Sequence, residues 1–81
     1  MTIDYNASVA YYSFLLGNPK GWQLILPVSS SASKGDQINV IEVNAMGTPT
    51  GNTMLGDVIY ARCNGCFEYV SKDVLVYVIP A

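Results

Sequence analysis

Residues 35–44 read Gly-Asp-Gln-Ile-Asn-Val-Ile-Glu-Val-Asn, and this stretch decides the fold. Its opening Gly-Asp turn and its β-branched residues predict the first arm of a β-hairpin. Ile38 and Val40 lie on one face of such a strand, whereas Ile41 and Val43 lie on the other. A one-residue slip of the apolar face is typical of a β-bulge or of a strongly coiled barrel strand.

The hairpin continues into a turn-rich tip and a returning strand. Residues 47–52 contain two glycines and a proline, which predict the tip. Residues 53–62 predict the returning strand, with Val58 and Tyr60 on one face and Ile59 and Ala61 on the other. The Gly56-Asp57 pair inside this strand indicates a second bulge.

One helix is predicted before the hairpin. Asn6 is a suitable N-cap, residues 7–16 form an apolar helical run, and Gly17-Asn18-Pro19 is expected to end it with a left-handed cap. Apolar side chains surround most of this helix, so Tyr11 or Phe14 is expected to face a partner.

Three further strands complete the predicted sheet. Residues 21–28 place Trp22 and two leucines on one face and end near Pro27, as an edge strand does. Residues 67–70 form a short strand, and the apolar run at 74–79 must be covered on both faces. One helix and about five mostly antiparallel strands predict a single α+β domain over all 81 residues, a small, partly closed β-barrel with the helix at one end.

The charges limit the classes of partner. The net charge is −2 and only 12% of the residues are charged. The four cations are too few and too scattered for a long nucleic-acid footprint, although they could hold one nucleotide. Histidine is absent, which removes the commonest general base and metal ligand. The cations are Lys20, Lys34, Arg62 and Lys72.

The lengths of the apolar runs and the first residues of the chain predict its location and its contact with membranes. No apolar run approaches the roughly 20 residues of a membrane span, so no membrane partner is expected. Asp4 lies where a secretory signal would have Lys or Arg. We therefore expect a cytoplasmic protein, in the host cytoplasm if a phage encodes it.

The two cysteines form one CxxC pair. Cys63 and Cys66 flank Asn-Gly, the strongest two-residue hairpin signal. One pair supplies half of a structural zinc site, and no second pair or histidine completes it within one chain. Neither metal nor cofactor is expected, unless a dimer shares a zinc ion. Reduced thiols, or a disulfide formed on oxidation, are the expected states.

Four segments of the chain together resemble the ASCH/PUA-like family, especially its small phage-borne members. These segments are the helix end at 15–22, the loop into 34–36, the strand end at 41–43 and the Gly51 hairpin that returns through 57–60. The resemblance spans residues 7–79 and implies a PUA-like barrel.

Some members of that family bind modified nucleosides or hydrolyse an N-acyl group from cytidine. They use a Lys and a Thr at the start of the first strand, with an acid from a later strand. Lys20 matches the Lys, but Gln23 falls at the hydroxyl position and apolar residues replace the Arg that usually follows. These departures count against catalysis.

Three functions of different classes follow. The first is a non-enzymatic protein-binding module, such as a phage or mobile-element inhibitor of a host defence complex, which the low charge and the six tyrosines favour. The second is a nucleoside- or RNA-binding barrel, in which Trp22 or Tyr60 stacks on a base and the cations meet phosphate. The third is a small N-acyl-nucleoside amidohydrolase using Lys20 and Glu42.

We favour the first function, without catalysis. The expected partner is a host protein or complex, with a nucleoside or RNA as the alternative, and the marginal size of the chain also favours a homodimer. The candidate binding residues are Tyr11, Phe14, Lys20, Trp22, Gln23, Lys34, Tyr60 and Arg62.

Overall fold

The computed structural model describes residues 1–27, 30, 32–64 and 73–81. These contain one helix and five strands. The elements are, in chain order, β1 (Thr2–Ser8), α1 (Val9–Leu16), β2 (Trp22–Pro27), β3 (Gln37–Val43), β4 (Pro49–Asn64) and β5 (Asp73–Pro80). The strand predicted at 67–70 lies outside the described residues.

The strands form one curled sheet in the order β1-β3-β4-β5-β2. β1 runs parallel to β3, and the other neighbouring pairs are antiparallel. The first part of β4 pairs with β3 and its second part with β5, so this 16-residue strand runs through both halves of the sheet. The resulting half-barrel with one helix confirms a small, barrel-like α+β fold.

Two irregularities shape the curl. The register of β3 against β4 shifts between Ile41 and Val43, where residues 50–52 of β4 lie opposite Glu42 alone. β3 itself pairs with β1 without interruption from Gln37 to Val43. The extra residues therefore lie on β4, and not on β3, where the slipped apolar face predicted a bulge or a strongly coiled strand. The second shift lies between Val58 and Tyr60, and not at Gly56-Asp57 as predicted. Packing, and not a bulge, requires glycine at position 56, because a side chain there would collide with residues of β2 and β5.

The core lies on the inner face of the sheet, beneath α1. Trp22, Leu24 and Leu26 of β2 are buried and alternate with exposed residues, as the sequence predicts. The Trp22 indole Nε1–H donates to the buried Leu15 carbonyl at 2.8 Å, which ties α1 to β2. The other buried apolar residues are Ala7, Tyr12, Ile38, Val40, Val58, Leu75, Val76 and Val78.

The N-terminal prediction was wrong at its first boundary. Residues 2–8 form a strand, and the helix begins only at Val9. Ser8, not Asn6, is the N-cap: its Oγ accepts a hydrogen bond from a backbone N–H in the first turn. Parallel pairing with β3 holds Asn6 in the sheet, and this distant contact outweighs the local capping preference.

The helix end and the hairpin tip also differ from prediction. Gly17 is the C-cap with φ −78° and ψ −1°, so Gly17 does not supply the predicted left-handed residue. The hairpin turns at residues 44–48, and β4 begins at Pro49 instead of residue 53. The Asn44 side-chain oxygen accepts from two backbone N–H groups across this turn, at 2.9 and 3.0 Å. This Asx-type turn explains the earlier start of the strand.

No helix within the described residues combines the length and the apolar character that crossing a membrane requires.

Candidate protein-binding surface

The outer face of the sheet has a polar half and an aromatic half. On β1, β3 and the first part of β4, side chains pair through polar contacts. Asn39 donates to Asp4 at 3.3 Å, and Gln37 donates to Asp57 at 3.1 Å. On β2, β5 and the second part of β4, aromatic and aliphatic side chains replace these polar pairs.

The register of the strands assembles the aromatic half. Tyr77 of β5 lies between Gln23 of β2 and Tyr60 of β4. The Tyr60 and Tyr77 rings are 5.6 Å apart at a 46° tilt. The Arg62 guanidinium lies 5.8 Å from the centre of the Tyr77 ring, a cation–π distance.

The helix extends this surface around the free edge of β2. Tyr11 and Phe14 stack with their ring centres 6.0 Å apart and only 9° between their planes. The Tyr11 hydroxyl reaches the Gln23 carbonyl at 3.5 Å. We call the whole set the aromatic strip: Tyr11, Phe14, Gln23, Tyr60, Arg62 and Tyr77.

The aromatic strip is open to solvent where its largest groups lie. Phe14 is 63% exposed and Tyr60 is 52% exposed, and the neighbouring Ile25 and Ile79 are each more than two-fifths exposed. An isolated exposed apolar residue is ordinary on a protein surface, whereas a contiguous group marks an interaction site. The strip is contiguous because strand register and ring stacking join its members.

A cleft of about 280 Å³ opens at the helical end of the strip. Phe14 and Gln23 line it, together with Asn18 and the edge of Trp22. The Asn18 side-chain amide donates to the Phe14 carbonyl at 2.6 Å, which fixes the last turn of α1 beside the cleft.

A larger groove of about 410 Å³ lies on the other side of Leu15 and Trp22. Every residue that lines it is apolar: Leu15, Leu16, Pro19, Trp22, Met54, Leu55, Pro80 and Ala81. Leu16 is 65% exposed at its rim. The groove offers volume and apolar surface but no polar side chain to orient a reacting group.

Five of the eight predicted binding residues belong to the aromatic strip, namely Tyr11, Phe14, Gln23, Tyr60 and Arg62. Trp22 lies beneath them at 4% exposure, so its ring has no free face on which a base could stack.

The predicted cations do not form one cluster. Trp22 and Arg62 are three residues apart in register, roughly 10 Å along the strands. Lys20 precedes Trp22 on the side away from Arg62. Lys34 lies in the loop before β3, next to Gly35, whose N–H donates to the Val58 carbonyl at 3.0 Å. The fourth cation, Lys72, lies outside the described residues.

Glu42, the candidate acid, contacts the β4 residues at the register shift between β3 and β4. The register places residues 50–52 of β4 opposite it. Its Oε1 accepts from the Thr50 hydroxyl at 2.5 Å and from the Asn52 amide at 3.1 Å. These bonds give Glu42 a structural role in the hairpin, and no contact links it to Lys20 within the described residues.

Among the residues that the structure describes, two side chains have pKa values shifted from their ordinary ones. Burial raises the pKa of the Tyr5 hydroxyl, and its interactions with Tyr11 raise it further. The Asp36 carboxylate accepts hydrogen bonds from the Ser33 backbone N–H at 3.1 Å and from the Ser33 hydroxyl at 3.2 Å. The backbone bond is the main cause that lowers the pKa of Asp36. Asp36 lies in the turn before β3, whereas Tyr5 contacts Tyr11 of the aromatic strip, with the ring centres 6.4 Å apart.

Cys63 at the end of β4 is disulfide-bonded. The only other cysteine of the sequence, Cys66, lies outside the described residues. In the part of the chain that the structure describes, no three Asp, Glu, Cys or His residues come together as a metal site would require.

Sequence reasoning missed Tyr77 as a surface residue. It belongs to the apolar run 74–79, whose lack of alternation indicated burial on both faces. Only its pairing with Gln23 and Tyr60 shows which face it occupies. The available signal was the one hydroxyl-bearing ring among aliphatic residues, since a tyrosine often keeps its polar end in water.

Comparison with protein-family models finds no match to this chain, and comparison with curated protein sequences also finds none.

Proposed function

We propose that this protein is a non-enzymatic binding module whose aromatic strip contacts another protein. The observation that carries the proposal is the assembly of exposed Phe14 and Tyr60 with Tyr77 and Arg62 into one continuous surface. Tyrosine and arginine are the residue types that most often dominate binding energy at protein interfaces. Inhibition of a host complex is one role that such a surface would serve.

The strip is pre-organised for binding. Strand register fixes Tyr60 against Tyr77, and the helix fixes Tyr11 against Phe14. Ring stacking and the cation–π contact hold these side chains before a partner arrives, so little conformational entropy is lost on association. A rigid aromatic surface therefore gives a large contact area at a low entropic cost.

The charges of the strip indicate which charges and apolar groups its partner should present. Arg62 is its only ionised member, and it lies at one end of an otherwise uncharged surface. We expect a partner with an apolar centre and a carboxylate at the position that meets Arg62. Because apolar contact dominates, the affinity should change little with salt, unlike that of a nucleic-acid complex.

The test is a paired affinity capture from cells of the native host. Tagged wild-type protein is compared with a Tyr60→Ala/Tyr77→Ala variant and with a Thr53→Ala control, which changes an exposed residue on the polar half of the sheet. The partner should be recovered stoichiometrically with the wild type and the control. Loss of the two rings should weaken binding of the purified partner by at least about 30-fold, the effect of one strong hot spot.

Circular dichroism must show that all three proteins are folded. Equal recovery of the partner with the wild type and the double variant would reject the aromatic strip as the contact surface. Failure to recover any stoichiometric partner would count against a protein-binding function altogether.

The cleft beside Phe14 favours nucleoside binding as a second candidate function. Its volume of about 280 Å³ suits a base, an exposed ring lines it, and the amides of Asn18 and Gln23 could bond to base edges. Calorimetric titration with nucleosides at two ionic strengths tests this candidate, with Phe14→Ala as the variant that should abolish binding. Absence of binding at low salt would eliminate it.

A further inference from the structure

Among the described strands, β1 and β2 form the two edges of the sheet, and only one of these edges is protected. On β2, Pro27 has no N–H to donate, and the Tyr11 hydroxyl covers the Gln23 carbonyl. Proline and covering side chains are devices by which proteins prevent an edge from pairing with another strand. β1 contains neither proline nor lysine. It is the edge that can accept a further strand.

The direction of the free backbone groups of β1 follows from its contact with β3. The Gln37 N–H donates to the Met1 carbonyl at 2.9 Å, and Thr2 is the registered neighbour of Gln37. In a parallel pair, this pattern turns the backbone groups of odd-numbered β1 residues toward β3. The N–H and C=O groups of Thr2, Asp4 and Asn6 therefore point away from the sheet.

We propose that β1 pairs in an antiparallel direction with β1 of a second copy of this chain, about a two-fold axis at Tyr5. Asp4 then lies opposite Asn6 of the partner subunit, and Asn6 lies opposite the partner's Asp4. Each of these two pairs exchanges two backbone hydrogen bonds. Because the same strand is used on both sides, the contact is closed and assembly stops at a dimer.

The side chains of β1 favour this register over registers whose two-fold axis is shifted by one residue. An axis at Asp4 would place two carboxylates directly opposite each other, which is unfavourable across a strand pair. An axis at Asn6 would pair fewer of the free residues. With the axis at Tyr5, Asp4 meets an exposed amide instead. Asn39 donates to only one Asp4 oxygen, so the other oxygen can accept from Asn6 of the partner subunit.

The inner face also gains from this pairing. Ile3 and Tyr5 are half-buried on that side of β1. The two-fold axis would bring the two Tyr5 side chains together and place Ile3 opposite Ala7 of the partner subunit. The dimer would join two five-stranded sheets into one. The sheet members of each strip, Gln23, Tyr60, Arg62 and Tyr77, would lie away from the contact, whereas Tyr11 contacts Tyr5 with the ring centres 6.4 Å apart. The protein would thus be bivalent. This inference stands independently of the proposed function, since β1 contributes no residue to the strip.

Sedimentation equilibrium of the full chain over a concentration series tests the dimer. In each of the two symmetric pairs, Asn6→Asp places a second carboxylate opposite Asp4, whereas Asn6→Lys places a cation there. The dissociation constant should rise about 2- to 30-fold for Asn6→Asp and fall by a similar factor for Asn6→Lys, the range expected for two cross-strand pairs. Thr53→Lys, an equally exposed change on another strand, should leave the constant unaltered.

A monomer at every concentration up to the solubility limit would overturn the proposal. So would a dimer in which Asn6→Asp and Asn6→Lys act in the same direction or not at all, because that dimer would use another register or surface. Asn6 is exposed, and circular dichroism verifies that both variants are folded. The Tyr60→Ala/Tyr77→Ala variant should remain dimeric, so failure of the dimer and failure of the binding strip are distinguishable.

Discussion

Replacing Gly56 by alanine should be among the most damaging small substitutions in this protein. Gly56 is buried on β4, where the strand crosses from β3 to β5. A β-carbon at this position would collide with Cγ1 of Val78 and would lie 2.8 Å from Cζ3 of Trp22 and 3.1 Å from the Ile79 carbonyl oxygen. Carbon atoms in contact normally lie about 3.5–4.0 Å apart.

The neighbours of Gly56 have little freedom to move away. Val78 is 1% exposed and Trp22 is 4% exposed, and the Trp22 indole is held by its hydrogen bond to α1. β4 would have to separate from β5 by about 1 Å to restore normal contact distances. Overpacking of this kind costs about 1–3 kcal/mol. For a domain of this size, that corresponds to a fall in Tm of about 4–24 °C.

Thermal unfolding followed by circular dichroism measures the effect of Gly56→Ala. Gly17→Ala is the matched control, because its β-carbon would meet backbone oxygens at an ordinary 3.6 Å and its φ of −78° suits any residue. The control should gain about 0.4–1 kcal/mol of stability. A Gly56→Ala protein with the wild-type Tm would refute the close approach of β2, β4 and β5.

Three further substitutions test separate parts of the structure. Trp22→Phe removes the hydrogen bond to the buried Leu15 carbonyl and should lower the free energy of unfolding by about 1–3 kcal/mol in urea titrations; an unchanged midpoint would contradict that bond. Ser8→Ala removes the N-cap and should cost about 0.5–2 kcal/mol, measured in the same way, and no loss would place the cap elsewhere. The Ser33 N–H is the main cause that lowers the pKa of Asp36 in the folded protein. The ionised Asp36 therefore stabilises the fold above the ordinary carboxyl pKa, and this stabilisation is lost as the pH falls through the lower folded pKa. Asp36→Asn should flatten the acid limb of a plot of Tm against pH, and identical acid limbs for the two proteins would argue against the Ser33 contacts.

Local sequence patterns predicted the elements whose packing is local. Ile38 and Val40 predicted the buried face of β3, whereas the extra residues at its register shift lie on the partner strand β4. Alternation in residues 22–27 predicted the buried face of β2. Both signals depend only on which side of one strand is buried.

The elements that depend on distant partners were not predicted. No strand was predicted at residues 2–8, and the predicted helix began at residue 7. Ile3, Tyr5 and Ala7 alternate as a strand requires, but the pairing partner β3 lies more than 30 residues away. The second bulge was assigned to Gly56, but glycine is needed there to admit Val78 from another strand. A glycine in a strand is compatible with either cause, and only the packing distinguishes them.

In the candidate site too, local patterns predicted some residues, whereas contacts between distant strands were not predicted. Tyr11 and Phe14 were recognised as surface residues because aromatic side chains surround the helix. Their continuity with Tyr60 depends on Tyr77, which the apolar run concealed. The nucleoside alternative requires lysines and arginine around one ligand, but strand register sets Lys20 and Arg62 on opposite sides of Trp22.

The most direct test of a protein-binding aromatic strip is an NMR map of this protein with and without its captured partner. We expect the largest shift changes and signal losses at Tyr60, Arg62 and Tyr77, with Asn39 and Thr53 on the polar half unchanged. Changes confined to the polar half, with the strip unaffected, would contradict the account.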